Sequence, residues 1–153
     1  MNILVIDAQG GGVGKQLVTA IKQTIPHVLV IAVGTNSAAT SAMLKAGADN
    51  AATGENAVVV ACRKADVIVG PIGIVIADSL LGEITPSMAA AVGQSRAKRI
   101  LIPFNHCDTI LVGVSDFNIG KLVKNAVTEI QYLFDLDKPD SFVYNKDNQH
   151  EAD

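Results

Sequence analysis

A run of glycines near the start of the chain restricts its fold more than any other feature. It directly follows an apolar, β-branched run that predicts a strand over Ile3–Ile6. It precedes an amphipathic helix predicted over Val13–Ile25, which Pro26 ends. A glycine-rich turn between a strand and a helix is typical of α/β proteins that bind phosphate at the helix N-terminus. The loop consists of Gln9, Gly10, Gly11, Gly12, Val13, Gly14 and Lys15.

Short apolar runs alternate with longer helical patterns along the rest of the chain. The runs are mostly apolar throughout, as in strands that helices cover on both faces. The pattern predicts further strands over residues 28–33, 67–69, 100–103 and 110–114, and further helices over residues 37–46, 56–65, 86–93 and 119–133. Alternating elements predict parallel pairing with right-handed crossovers. We therefore expect a Rossmann-like, doubly wound α/β fold with a mainly parallel sheet of about five strands.

Two orders of these strands fit the pattern, the Rossmann order and a flavodoxin-like order. Both place ligands at the carboxyl ends of the strands, near the point where the strand order reverses. The length of 153 residues predicts one domain, which we assign to residues 1–134. Residues 135–153 are polar and predict a loosely ordered tail.

The glycine loop has the chemistry of a phosphate site. The first amides of a helix have no partner inside the helix and carry partial positive charge, and glycine lets a diphosphate approach the backbone. A tight turn that needs glycine only for its dihedral angles is the alternative. A Walker-type loop would have Ser or Thr after Lys15, but this chain has Gln16, which disfavours nucleoside triphosphate hydrolysis.

The stretch Ala8–Gly14 resembles the loops of malate dehydrogenases and short-chain dehydrogenases. In those families the position of Ala8 is usually glycine. The resemblance implies NAD or NADP as the cofactor.

Thr35, Asn36 and Ser37 follow the second predicted strand, where a nicotinamide site usually has an acidic residue for the ribose hydroxyls. This stretch of sequence contains no carboxylate. Its hydroxyl and amide groups can donate to a 2′-phosphate, so we expect NADP to bind at least as well as NAD if a dinucleotide is bound. The alternative is that Asn36 or Ser37 caps the next helix.

The segment Asp66–Gly73 resembles the Asp-Val-Leu-Val-Asn-Asn-Ala-Gly segment of short-chain dehydrogenases, which lines the cofactor in that family. The resemblance implies cofactor contacts for Gly70, Pro71 and Gly73. The family's catalytic Tyr, with Lys four residues later, is absent from this chain. The sequence therefore assigns no catalytic residue.

Other reactive side chains are scattered. Asp78 and Glu83 stand in an otherwise apolar stretch, which favours perturbed acidity, although solvated or capping carboxylates are the alternative. His106 follows a predicted strand, at the end where ligand sites lie. Cys62 and Cys107 lack the spacing of a metal site and predict reduced thiols. We expect no metal site.

Composition restricts the partners of the chain. Hydrophobic residues make up 49% and charged residues 18%, which leaves little charge for the surface. This balance, with the apolar stretch between Ile72 and Leu81, predicts a homo-oligomer. A net charge of −3 and few aromatic residues argue against nucleic-acid binding. Because the chain shows no secretory signal and no apolar run long enough to span a bilayer, we expect a cytoplasmic protein without a membrane partner.

Several longer stretches resemble one protein family over the whole chain. They comprise residues 9–15, 34–36, 39–48, 52–57, 69–74 and 81–86. On these stretches the chain is identified as a member of a small bacterial family, domain of unknown function 3842. The resemblance implies relatives but no reaction.

These patterns leave three functions open. The first is a protein that binds a nucleotide cofactor such as NAD or NADP through the glycine loop, with or without catalysis. The second is a non-catalytic sensor for a smaller phosphorylated metabolite or anion, and the third is a dimeric scaffold without a ligand. The dehydrogenase-like segment Asp66–Gly73 favours the first function, and the lack of an acid after the second strand favours the second.

Overall fold

The computed structural model of the chain describes residues 1–104 and 109–138. Within them, strands and helices alternate as the sequence predicts. The elements are β1 (Asn2–Asp7), α1 (Gly12–Thr24), β2 (Leu29–Gly34), α2 (Ser37–Lys45), β3 (Asn50–Thr53), α3 (Glu55–Cys62), β4 (Val67–Pro71), α4 (Pro86–Gln94), β5 (Lys98–Ile102) and α5 (Ile119–Leu136). A 3₁₀ turn, Ile72–Val75, directly follows β4.

The strands form one parallel sheet in the order β3-β2-β1-β4-β5. This is the Rossmann order, so the structure decides between the two orders that the sequence leaves open. The order reverses between β1 and β4, which lie side by side at the centre of the sheet. The doubly wound α/β prediction is confirmed, and the glycine loop leaves β1 at the point of reversal.

Helices cover both faces of the central strand because its side chains alternate. Ile3 and Val5 of β1 belong to the same core as side chains of α1, α2 and α5. Leu4 and Ile6 belong to a second core with side chains of α3 and α4. All four are at most 1% exposed. Since each such side chain contributes about 1.5–3 kcal/mol by its burial, β1 holds the start of the glycine loop on a rigid base.

The structure has one strand that the sequence did not predict, and one predicted strand is wrong. Residues 50–53 form the edge strand β3, which was not predicted because it is short, mostly exposed and has a single β-branched residue. Residues 110–114 form no strand but include a turn at Val112 and Gly113. Ile110 and Val112 are 89% and 95% exposed, so their apolar run does not mark a buried strand.

The helices lie where they were predicted, with small differences at their ends. α3 ends at Cys62, three residues before the predicted end. α5 continues to Leu136, two residues beyond the boundary assigned to the domain. Residues 139–153, most of the predicted tail, lie outside the described residues. Among the helices that the structure describes, none has the length and apolar character of a membrane span.

Candidate functional site

Two glycines of the loop are required by the fold itself. Gly11 is the N-cap of α1 and has a φ of 72°, and a Cβ there would lie 2.8 Å from the Cα of Ala39 in α2. Gly14 lets α1 approach the sheet, because a Cβ there would lie 2.5 Å from the Sδ of Met43 and 2.8 Å from the Cβ of Asp7.

The other two glycines, Gly10 and Gly12, have no such requirement. Neither has a positive φ, and a Cβ built at either position would meet no atom within 4 Å. Within residues 1–104 and 109–138, neither backbone amide makes a hydrogen bond. Glycine at these positions therefore leaves an open stretch of backbone with two amide donors that have no partner among the described residues.

Asp7, the last residue of β1, is a buried acid directly beneath the loop. Its side chain is 5% exposed, and no other charged side chain in the described part of the chain is buried. Its Oδ1 accepts the Ala8 amide at 2.8 Å and its Oδ2 accepts the Gly14 amide at 2.6 Å. Burial raises the pKa of Asp7, an effect that these backbone hydrogen bonds oppose and that the nearby charge of Glu83 reinforces. The carboxylate of Asp7 thus accepts the hydrogen bond of one backbone amide in the first turn of α1.

Glu83 brings a second carboxylate to the end of β2. Its Oε1 accepts hydrogen bonds from Asn36 Nδ2 at 2.6 Å and from Thr35 Oγ1 at 3.0 Å. Its Oε2 accepts the Gln9 amide at 3.0 Å. All three donors were predicted as ligand contacts. The acid that the local sequence lacks after the second strand is therefore supplied by a residue 47 positions further along the chain.

Asn36 combines this contact with helix capping. Its Oδ1 accepts the Ala39 amide at 2.9 Å, which makes it the N-cap of α2, as the alternative interpretation predicted. Its Nδ2 also donates to the Gln9 carbonyl oxygen at 2.9 Å. Ser37 is the exposed first residue of α2. The structure therefore brings Thr35 and Asn36 to the glycine loop, whereas no hydrogen bond among the described residues joins Ser37 to it.

Residues Ile76–Ile84, which we call the Glu83 loop, have an unusual backbone. Asp78, Leu80 and Leu81 have φ values of 63°, 55° and 58°, in the left-handed region that favours glycine. Such a conformation costs about 1–2 kcal/mol per residue. The base of the loop is closed by a 2.8 Å hydrogen bond from the Asp78 amide to the carbonyl oxygen of Ile84, whose side chain is fully buried. The contacts of Glu83 therefore help to hold a strained segment in place.

Two cavities adjoin the glycine loop. A cleft of about 140 Å³ is lined by Gly10, Gly12, Asp7 and Pro71, among others. A mainly apolar cavity of about 470 Å³ lies beside the 3₁₀ turn and the Glu83 loop. The residues that line both are Gln9, Leu80 and Phe104. A larger, open groove of about 860 Å³ between α3 and α4 contains no residue of the glycine loop, of residues 35–37 or of residues 70–73.

Only some residues of the segment at the end of β4 line these cavities. Gly70 is required by the sheet, since a Cβ there would collide with the carbonyl oxygen of Ile6. Pro71 lines the small cleft and Gly73 lines the apolar cavity. Lys15 is exposed in the first part of α1, and the structure describes no hydrogen bond of its side chain.

Sequence reasoning did not identify Asp7 as part of the site, although an acid directly before a glycine loop was a signal. It noted Glu83 but had no means of placing it beside Asn36. Asp78 is exposed and lines the apolar cavity. The prediction for His106 falls outside the described residues. Within the described ranges, no group of three or more His, Cys, Asp or Glu residues is arranged to hold a metal ion.

Comparisons with known proteins give a family and a distant structural similarity. No curated protein matches the chain. Among solved structures, the chain is similar to the dodecameric FMN-dependent Ubix-like decarboxylase from Escherichia coli O157:H7, with 18% sequence identity and a TM-score of 0.40. That similarity covers 86% of this chain and 76% of the decarboxylase chain. A family model matches residues 2–135, and the chain belongs to this family, described as Domain of unknown function (DUF3842).

Proposed function

We propose that the chain binds a phosphate-bearing nucleotide, with a phosphate on the glycine loop and the ring system in the adjoining apolar cavity. The observation that carries this proposal is that neither packing nor dihedral angle requires glycine at Gly10 and Gly12. Both glycines line a cleft and have amides without a partner in the described part of the chain. Unpaired amides at the start of a helix favour an anion.

The dimensions of the two cavities support a ligand with a polar and an apolar part. The cleft of about 140 Å³ offers room for a phosphate group beside Gly10 and Gly12. The cavity of about 470 Å³ is mainly apolar and lies within the usual range for small-molecule sites. Because Gln9, Leu80 and Phe104 line both, one molecule can fill the two together. AMP, FMN and the adenosine or nicotinamide halves of NAD and NADP are ligands of this shape.

The proposal is tested with the variant Gly12→Val. Because no atom lies within 4 Å of a Cβ at Gly12, the variant should fold, and its side chain would enter the cleft. Gly93→Val is a matched control, since Gly93 also lies in a helix and has equally open surroundings, but it is in α4. A thermal-shift panel of AMP, FMN, NAD, NADP and inorganic phosphate identifies a binder, because a ligand of the native state raises the melting temperature.

Calorimetry with the best ligand of the panel then measures its affinity for the natural protein and for both variants. We expect Gly12→Val to lose at least about tenfold in affinity, which corresponds to 1.4 kcal/mol, and Gly93→Val to keep the affinity of the natural protein. Equal affinity in all three proteins would show that the glycine loop is not the binding site.

A smaller phosphorylated metabolite is the second candidate ligand. The size of the cleft at Gly10 and Gly12 favours it, since about 140 Å³ accommodates a phosphate with little more attached. In that case inorganic phosphate and small sugar phosphates would raise the melting temperature as much as AMP or FMN do. A nucleotide that clearly exceeds inorganic phosphate would exclude this candidate.

A further inference from the structure

Glu83 is an anion that occupies a set of converging donors. The Gln9 amide, the Thr35 hydroxyl and the Asn36 side-chain amide come from two separate segments of the chain and all donate to its carboxylate at 2.6 to 3.0 Å. Gln9 itself has a φ of 51°, which an L-residue rarely adopts and which is compatible with its amide facing Glu83. Three donors that converge on one anion form a binding site whose present occupant belongs to the same chain.

The segment that carries this occupant has no fully buried residue between Ile76 and Ile84. Ile84 is fully buried, but Asp78 and Leu81 are exposed, and Leu81 is 90% exposed. Asp78, Leu80 and Leu81 all have positive φ, so the closed loop stores backbone strain that the hydrogen bonds of Glu83 offset. Because the hydrogen bonds of Glu83 offset part of this strain, their loss would favour a second arrangement of the loop.

We propose that Glu83 occupies a phosphate site and that a phosphate group of the ligand displaces it, which opens the Glu83 loop. This inference rests on the proposed nucleotide function and adds a second anion site, which meets the glycine-loop cleft at Gln9. Phosphate oxygens accept the same three hydrogen bonds that the carboxylate accepts now. The loop therefore competes with the ligand, and the affinity observed is reduced by the fraction of molecules in which the loop is closed.

Recognition of ribose hydroxyls by Glu83 is the opposing possibility, because acids near this strand end hold ribose in other Rossmann folds. The hydrogen bonds argue against it. A carboxylate has about four acceptor positions, and Glu83 already uses three of them for Gln9, Thr35 and Asn36. A ribose diol needs two acceptors at once, whereas a phosphate needs the donors that Glu83 now holds.

The two possibilities predict opposite effects of removing the carboxylate. We would measure the binding of AMP and of inorganic phosphate by calorimetry in the natural protein and in Glu83→Ala and Glu83→Gln. Glu129→Gln is the control, since it removes one negative charge at an exposed position of α5 that lines neither cavity. Displacement predicts a gain of about tenfold in affinity for Glu83→Ala, a smaller gain for Glu83→Gln, and a change under about twofold for Glu129→Gln.

Hydrogen exchange of the natural protein provides a second readout. Amides of the loop are bonded within it, for example Gly82 to the Asp78 carbonyl oxygen and Glu83 to the Leu80 carbonyl oxygen. If ligand displaces Glu83, the exchange of residues 77–83 should become faster when AMP is added, while the glycine loop becomes more protected. Recognition of the ligand by Glu83 would instead slow the exchange of both segments.

The outcomes separate this inference from the proposed function. Tighter binding by Glu83→Ala together with faster loop exchange supports both. Binding that Gly12→Val abolishes but that Glu83→Ala leaves equal or weaker overturns the displacement and leaves the nucleotide function standing. If none of AMP, FMN, NAD, NADP and inorganic phosphate binds the natural protein or Glu83→Ala at millimolar concentration, both are overturned.

Discussion

Asp7 and Gly14 are joined by a hydrogen bond of 2.6 Å that ties the end of β1 to the first turn of α1. The bond crosses the whole glycine loop, and the carboxylate that accepts it is almost fully buried. Because the amide of Gly14 lies in the first turn of α1 and has no other partner in the described part of the chain, Asp7 acts as an internal cap of this helix. Its protonation state therefore affects the stability of the protein.

The first prediction concerns the pH dependence of stability. The pKa of Asp7 is raised above its ordinary value of 3.8, chiefly by burial, so the folded state binds its proton more tightly than the unfolded state does. The contribution of Asp7 to stability is fully present below 3.8 and is lost as pH rises through the folded-state pKa. Urea unfolding, measured as the pH is raised from below 3.8, should show this fall in the free energy of unfolding. Asp7→Asn should not show the fall, because its side chain cannot titrate.

Asp49 provides a control because its pKa is shifted in the opposite direction to that of Asp7. Its pKa is lowered, chiefly by the hydrogen bond from the Val30 amide and by the contact with Lys22, against a smaller opposing effect of burial. Its contribution to stability is therefore present above its ordinary pKa of 3.8 and is lost as pH falls through the folded-state pKa. Asp49→Asn should change the acid side of the curve and leave the fall due to Asp7 in place. An unchanged curve in Asp7→Asn would contradict the assignment.

The second prediction concerns the thiol of Cys62. Burial raises its pKa to about 11. At pH 8 about one molecule in a thousand would carry the reactive thiolate, and the folded protein also shields the sulfur from reagents. Iodoacetamide should therefore label Cys62 only after unfolding in urea. Peptide mapping by mass spectrometry separates this site from Cys107, and rapid labelling of the native Cys62 peptide would show that the helix α3 opens readily.

The third prediction is that the chain forms homo-oligomers, which we propose from the low charge of its surface. The structure adds large apolar side chains that are almost fully exposed, Leu81, Ile110 and Val112. Sedimentation velocity at high micromolar concentration should give a species larger than a monomer, and Val112→Asp should weaken the assembly. Asn125→Asp, which adds the same charge at an exposed position of α5, is the control. A monomer at that concentration, or equal effects of both variants, would refute the prediction.

The comparison of sequence and structure separates local signals from contacts between distant segments. Pro26 ends α1, and the periodic apolar residues of α5 define its buried face, because both act through the backbone of their own segment. The edge strand β3 had no comparable signal, since an exposed edge needs few apolar residues. Short apolar runs such as 110–114 are ambiguous because they contain too few residues to show a periodicity.

The site shows the same division. The glycine loop and the capping by Asn36 could be predicted because a helix start has a local signature. The contact between Asn36 and Glu83 could not, because it depends on a loop after β4 that returns across the sheet to the end of β2. A missing acid in a segment therefore does not mean a missing acid in the site.

The last prediction tests the strain of the Glu83 loop through Leu81. This residue has a φ of 58° and is 90% exposed, so its side chain contributes little packing while its backbone is unfavourable. Glycine adopts this conformation without steric cost, and although it loses more entropy on folding, Leu81→Gly should stabilise the protein by about 0.5–1 kcal/mol. Val112→Gly is the matched control: Val112 is 95% exposed and has no positive φ, so its replacement should be neutral or destabilising. Urea unfolding measures the stability of both variants.

Since relief of strain favours the closed loop, Leu81→Gly should also bind AMP more weakly than the natural protein if Glu83 must be displaced. Destabilisation of both variants to a similar extent would show that the positive φ of Leu81 stores no strain that glycine relieves.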